Sequence, residues 1–279
     1  MNKRTDIDLK GVPQTLLLPL IGRAKLSEEI YSPLHDAKAI ELVNSIDYDF
    51  NSLLNVKNVK QSALFWMARA VHFDAAIKAY LKNNPTAVIV NLGAGLDTAF
   101  NRVNNGQLTW VDLDLPEVIS LREKLLPPTS NEHYIAKSVL DFSWMEDVKK
   151  YGDDVFFFAG GLFMYFTEAQ IKSILITIAT HFPGAQMIFD NIFPKGLKRA
   201  NCMLEKSGMK DALLKWGIYN AKDMEAWSSS IKLVSQTPYF KDIKSNYRFP
   251  LSSKITMYFF DYVHKSGIIQ LRLGIRSEL

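Results

Sequence analysis

The clearest pattern along the chain is a series of short apolar runs, each closed by small or acidic residues, alternating with stretches of helical period. Residues 87–92 follow Asn83-Asn84-Pro85 and are rich in β-branched side chains, which predicts a buried strand of a parallel sheet. Similar runs occupy 108–114, 133–139, 154–159 and 186–190, and three consecutive phenylalanines in the fourth suit a strand covered on both faces. Between them lie helical segments. One begins near Thr98. One fills 115–126, with Pro116 at a first helical position and Pro127-Pro128 as its stop. One runs from Thr167, a plausible N-cap, to about Thr180, with Pro183-Gly184 beyond it. Upstream, Leu64, Met67, Ala68, Val71, Ala75 and Ala79 recur at the helical period and predict a long helix over 59–82. Strand and helix in alternation predict a single α/β domain with a mostly parallel sheet.

Around this core of 59–194 the pattern changes. Residues 10–58 read as a helical N-terminal cap, with Arg23 just past an apolar segment and an amphipathic stretch over 36–46. Residues 195–236 are more polar and helical in places (200–206, 210–216 and 221–229). They read as a lid over the C-terminal edge of the sheet, where open α/β folds bind ligands. Residues 237–279 hold strand-like runs at 243–249 and 268–273 and read as the last strands of the sheet.

The strand ends carry the candidate chemistry. Gly93-Ala94-Gly95 after the first strand lets the backbone turn tightly and approach a ligand. A nicotinamide dehydrogenase would want a third glycine where Thr98 stands, and Asp97 inside the turn would face a pyrophosphate with like charge. The same acid suits a ligand with a sulfonium and an ammonium group, so the turn fits S-adenosylmethionine (SAM) better than a dinucleotide. The other strand ends agree. Asp112 or Asp114 can accept hydrogen bonds from both ribose hydroxyls, Asp141-Phe142 offers an acid and an aromatic face to adenine, and Gly160-Gly161 leaves room beside the fourth strand. Tyr165 and Asp190, near strand ends, are the only candidates for a general base, and a structural role is the simpler reading of each.

Composition narrows the classes. A 279-residue chain with 48% hydrophobic residues has ample material for a core, and its charge of +4 is spread along its length rather than clustered as a nucleic-acid surface requires. One cysteine, Cys202, excludes internal disulfides and cysteine-rich zinc sites and fits a cytoplasmic address. The longest apolar run, 155–166, is too short and too glycine-rich to span a bilayer. The expected partner is a small-molecule methyl acceptor, with no metal, nucleic acid or membrane; oligomeric state is left open.

Thr15 to Arg23, Arg69, Val88 to Thr98, Asp112-Leu113-Asp114-Leu115-Pro116 and Ala159-Gly160-Gly161-Leu162-Phe163-Met164-Tyr165-Phe166 together resemble the leucine carboxyl methyltransferase family, in its bacterial branch of polyketide O-methyltransferases. The resemblance covers roughly residues 10–195 and is weak over the lid. It implies a class I SAM-dependent methyltransferase fold, a seven-stranded sheet whose last strand is antiparallel, and release of S-adenosylhomocysteine (SAH). It implies that Arg69 pairs with the SAM carboxylate, with Arg23 as a second basic contact. The Gly93-Ala94-Gly95 turn would pass the methionine part, Asp114 would bind ribose with Asp112 adjacent, and Asp141 and Phe142 would contact adenine. One departure stands out: many members carry Ala-Glu after the fourth strand, where this chain has Ala159-Gly160. The missing glutamate shifts weight onto Asp97. The expected activity is O-methylation of a hydroxyl or carboxylate of a small molecule; the alternatives are carboxyl methylation of a protein C-terminus, or a non-catalytic SAM-binding protein.

Overall fold

A computed structural model describes residues 14–50, 59–206, 213–264 and 267–274. Its centre is a seven-stranded sheet in the order β3-β2-β1-β4-β5-β7-β6. The strands are β1 (Val88–Leu92), β2 (Thr109–Asp114), β3 (Glu132–Ala136), β4 (Val155–Ala159), β5 (Ala185–Asn191), β6 (Ile231–Pro238) and β7 (Gly267–Leu273). Strands β1 to β5 pair in parallel, and β7 slots antiparallel between β5 and β6. This is the class I methyltransferase architecture expected from the sequence. The order reverses between β1 and β4, and a crevice opens at such a switch point.

Helices α1 (Gln14–Ser27) and α2 (Ala37–Ser45) form the cap, and α3 (Val59–Asn83) leads into β1. Short α4 (Ala99–Val103) follows β1, α5 (Pro116–Leu125) follows β2, α6 (Trp144–Lys149) follows β3, and α7 (Glu168–His181) joins β4 to β5. Local signals explain several boundaries. Pro116 opens α5. Thr167 caps α7 in a full capping box with Gln170, which satisfies donors the helix leaves open. Asp36 caps α2 by accepting from the Ala39 N–H.

Strand alternation sorts the core into two layers. Phe157, Val90 and Phe189 face α6 and α7 on one side of the sheet, whereas Phe156, Phe158, Ile89 and Trp110 face α3 and α4 on the other. A third cluster holds the cap: Leu17, Leu20, Ile21 and Leu42 pack with Leu96 and with Leu121 and Leu126 around α5. A side chain at Gly22 would run into the Trp66 ring, so α1 and α3 cross in close contact.

The C-terminal third departs from the sequence pattern. Residues 231–236, read as part of the lid, are strand, and 243–249, read as strand, begin instead as the single helical turn α9 (Ile243–Asn246). Strand β6 lies at the sheet edge and is only partly covered, and a bulge between Leu233 and Ser235 breaks its alternation. Ile243 and Phe249 are apolar because they pack on the α3 face, not because they lie in a sheet. Helix α8 (Pro194–Lys206) and a 3₁₀ stretch at Ala221–Trp227 precede β6, α10 (Leu251–Phe259) follows α9, and residues 207–212 lie outside the described residues. The third strand is shifted towards the N-terminus of its predicted span, so 137–143 are loop. Among the described residues no helix is long and apolar enough to cross a membrane.

Phe157 is fully buried between β4 and α7. Phe157→Ala is expected to cost about 3–5 kcal/mol in urea unfolding; a loss under about 1 kcal/mol would mean the sheet is packed otherwise.

Candidate functional site

A cavity of about 600 Å³ opens over the C-terminal ends of β1, β2 and β4, within the range of small-molecule sites. Its floor is Asn91, the turn from Gly93 to Asp97, Asp114 and Gly160-Gly161. Its roof is Leu16, Pro19 and Arg23 of α1 with Trp66, Arg69 and Phe73 of α3.

The turn depends on backbone that only glycine adopts freely: Gly93 has φ 70° and Gly95 φ 49°. The Gly95 N–H donates to Asp114 Oδ2 at 2.7 Å, and Leu115 N–H to Asp114 Oδ1 at 2.7 Å. Burial pushes the Asp114 carboxyl above the usual carboxylate range, against the pull of those two N–H groups. Each oxygen keeps a second lone pair for a ligand.

Around the turn lies an ionic network that the sequence reading did not anticipate. Asp36, fully buried, accepts from Arg23 Nε at 3.1 Å, Arg102 Nη1 at 2.7 Å and Thr98 Oγ1 at 2.7 Å. Burial alone would raise its pKa; Arg23 and Arg102, with the Thr98 and Ala39 donors, overcome this and hold it below the ordinary value. Arg102 also makes two hydrogen bonds to Asp74, at 2.7 and 3.0 Å. Asp97 sits at the edge, accepting from Ala99 N–H at 2.6 Å with Arg23 and Arg102 at 3.8 and 3.9 Å. Burial works against its charge, but the two arginines and that N–H keep its pKa low, so Asp97 presents a partly exposed carboxylate to the cavity. Asp36 stands just before an apolar period, which signals a cap; its partners Arg23, Thr98 and Arg102 are 13, 62 and 66 residues away and left no local trace.

Arg69 reaches the cavity from α3 and is held from behind. Its Nη1 donates to Asp190 Oδ2 at 3.1 Å, and Asp190 also accepts from Gly161 N–H at 2.6 Å and Tyr239 Oη at 2.7 Å.

The structure therefore gathers Arg23, Arg69, Gly93, Ala94, Gly95, Asp97, Asp114, Gly160 and Tyr165 around one cavity. Other expected residues lie elsewhere. Asp112 shares a face with Asp114 but sits two residues deeper, fully buried, with Arg122 at 2.7 Å and the Asn91 amide at 2.9 Å. Arg122, also unforeseen, donates to the Gly95 and Asp97 carbonyls, so this pair props the turn from beneath. Ala159 is buried in the sheet core and does not line the cavity. Asp141 and Phe142 stand outside it as well: Asp141 is exposed and caps its own loop through Ser143, and Phe142 packs on the core. None of the described residues of 195–236 lines the cavity; the cap and α3 roof it instead. As bases, Asp190 is buried, accepts from three donors and does not line the cavity, and burial raises the Tyr165 pKa further from neutrality.

The comparisons with known proteins come to the same place. The model of the family described as leucine carboxyl methyltransferase matches residues 24–179. The tetracenomycin polyketide synthesis O-methyltransferase TcmP of Streptomyces glaucescens is 30% identical over 246 residues, 85% of this chain and 88% of that protein. An S-adenosyl-L-methionine-dependent methyltransferase of Gibberella zeae, dpfgK, is 29% identical over 189 residues, 63% of each. Among solved structures, a provisionally designated methyltransferase from Thermobifida fusca superposes with TM-score 0.57 at 14% identity, covering 88% of this chain and 97% of its own. A duf574 family protein from Streptomyces avermitilis superposes at 0.55 with 12% identity, over 91% and 96%.

Because Asp36 holds a depressed pKa, the stability it contributes is complete above the unfolded value of about 4 and is lost as pH falls through its lower folded value. Asp36→Asn should therefore cost about 3–5 kcal/mol at pH 7, and the deficit should shrink only in acid. Urea unfolding of both proteins from neutral pH downward checks this, and a deficit independent of pH would remove Asp36 as the ionised partner.

Proposed function

The chain belongs to the leucine carboxyl methyltransferase family, and from that premise we propose that it methylates an oxygen of a small molecule, with a carboxylate as the acceptor. Membership makes it a SAM-dependent methyltransferase. When bound, SAM supplies a methyl group on a cationic sulfur, a carbon already activated for in-line displacement.

The groups lining the cavity suit that donor. Arg69 offers a cation to the amino-acid carboxylate, and the ionised Asp97 offers charge to the ammonium in place of the glutamate that Gly160 replaces. Asp114 keeps acceptor sites for a ribose, and Leu115 and Val118 beside it give an apolar wall for a flat base. Gly93 and Gly95 let the chain pass close beneath.

What carries the carboxylate reading is the state of every titratable group on the cavity wall. Arg23, Arg69 and Arg102 are cations paired with acids, Asp97 and Asp114 are taken up by the donor's ammonium and ribose in this reading, Tyr165 is pushed up by burial, and no histidine lines the cavity among the described residues. A phenol or alcohol needs a base to take its proton; a carboxylate is ionised at neutral pH and needs only to be held in line. Holding it is worth about 7–11 kcal/mol in favourable cases, and the side chains of Leu16, Pro19, Trp66 and Phe73 give the alignment an apolar roof. The match to TcmP, a polyketide synthesis O-methyltransferase, supports a small organic acceptor.

Titration calorimetry should detect SAM and SAH but not NAD, and binding of NAD alone would overturn the donor assignment. Asp114→Ala should weaken SAH roughly 10- to 100-fold. With an acceptor in hand, kcat should stay flat from about pH 6 to 9; a rise along a single ionisation would assign a hydroxyl acceptor and a base instead.

A further inference from the structure

Arg69 lies in a slot bounded on two sides. On one side is the Gly160-Gly161 backbone: a Cβ at Gly160 would meet Arg69 Nε at 3.2 Å and the Phe73 ring at 3.4 Å, and one at Gly161 would meet Arg69 Nη1 at 2.7 Å. A side chain at 161 would take the space the guanidinium fills, and one at 160 would press against it. On the other side is Asp190, at the end of β5, which joins three separate elements: Arg69 of α3, the Gly161 N–H after β4, and the Tyr239 hydroxyl just after β6. Tyr239 is itself fixed, with its backbone carbonyl 2.9 Å from His72 Nε2 and its ring edge-on to Phe65 at 5.2 Å.

We propose that Asp190 and Tyr239 are positioning residues that, with the glycine pair at 160–161, hold Arg69 over the fourth strand's end and aim it at the carboxylate of the methyl donor. An arginine on a helix has a long, mobile side chain, and a planar fork gains most where it is pre-organised. The Asp190 carboxylate supplies the counter-charge that makes its burial tolerable. Burial, with the Asp190 charge beside it, raises the Tyr239 pKa well above that of a free tyrosine, so its hydroxyl remains a donor throughout the working pH range. The glycine at 160 thus has a use of its own: it exchanges a side-chain acid for room in which an arginine can lie.

The inference rests on the reading of the cavity as the SAM site, and two ligands separate the failure of one from the failure of the other. SAH carries the amino-acid carboxylate; 5′-deoxy-5′-methylthioadenosine keeps the adenosine and thioether and lacks it. The full-length wild type should bind SAH more tightly than methylthioadenosine. Tyr239→Phe, which keeps the ring and removes one hydrogen bond, should weaken SAH roughly 3- to 10-fold and leave methylthioadenosine unchanged. Gly160→Ala, which crowds Arg69 from the other side, should do the same, and it stands as an independent variant if Tyr239→Phe fails to fold. Equal losses for both ligands would reduce Tyr239 and Gly160 to structural supports and overturn the inference, as would no loss for either. A wild type that binds neither ligand would defeat the cavity reading on which the inference stands.

Discussion

A carboxylate sealed from water, Asp36, joins the cap to the sheet. Left unpaired there, its charge would be very costly; with two arginines, a hydroxyl and a helix N–H around it, the ion is held in a fixed geometry. Everything that roofs the cavity depends on this arrangement. Arg23 ties α1 to the Leu96 carbonyl, Arg102 ties α4 to Asp74 of α3, and Thr98 ties the turn to the cap. The network ends at Asp97, whose carboxylate is kept ionised by the same cations and left facing the cavity. A structural ion cluster and a ligand-facing charge are therefore one assembly.

Strand β2 shows how two acids of the same type, on the same face, come to separate roles. At Asp112 the carboxylate is a pleat below the rim, and Arg122 covers it; at Asp114 the strand ends, and the carboxylate meets the turn and the cavity together. Both are pushed upward in pKa by burial, but Asp112 is balanced by a fixed cation and Asp114 by backbone donors with spare capacity opposite. Depth by two residues decides between a buried prop and a carboxylate on the cavity wall.

The parallel half of the fold was legible because β1, β4 and β5 at its centre are buried on both faces and so read as nearly unbroken apolar runs, with proline, glycine and Thr167 marking the helix ends. The glycine turn, Asp97, Asp114 and Arg69 were legible because they stand at strand ends or interrupt an apolar helix. Strand β6 was not, since a partly covered edge strand with a bulge has neither continuous apolarity nor a steady alternation. Asp36, Arg102 and Arg122 were not, since their ion pairs close between separate elements, 10 to 66 residues apart, and leave no pattern in either neighbourhood. Asp141-Phe142 were expected in the site from their place after the third strand and from the resemblance, and the third strand's early end leaves them in a loop outside the cavity.

The grip on Arg69 also has a place in time. Its anchor, Asp190, lies 121 residues further along the chain, and Tyr239 another 49 beyond that. Contacts of such separation close late, because loop entropy must be overcome before they form. The glycine turn, by contrast, sits with Asp114 only 19 residues away. The turn can therefore close on Asp114 before Arg69 gains its anchors. Arg69 is held only once the far end of the sheet has docked.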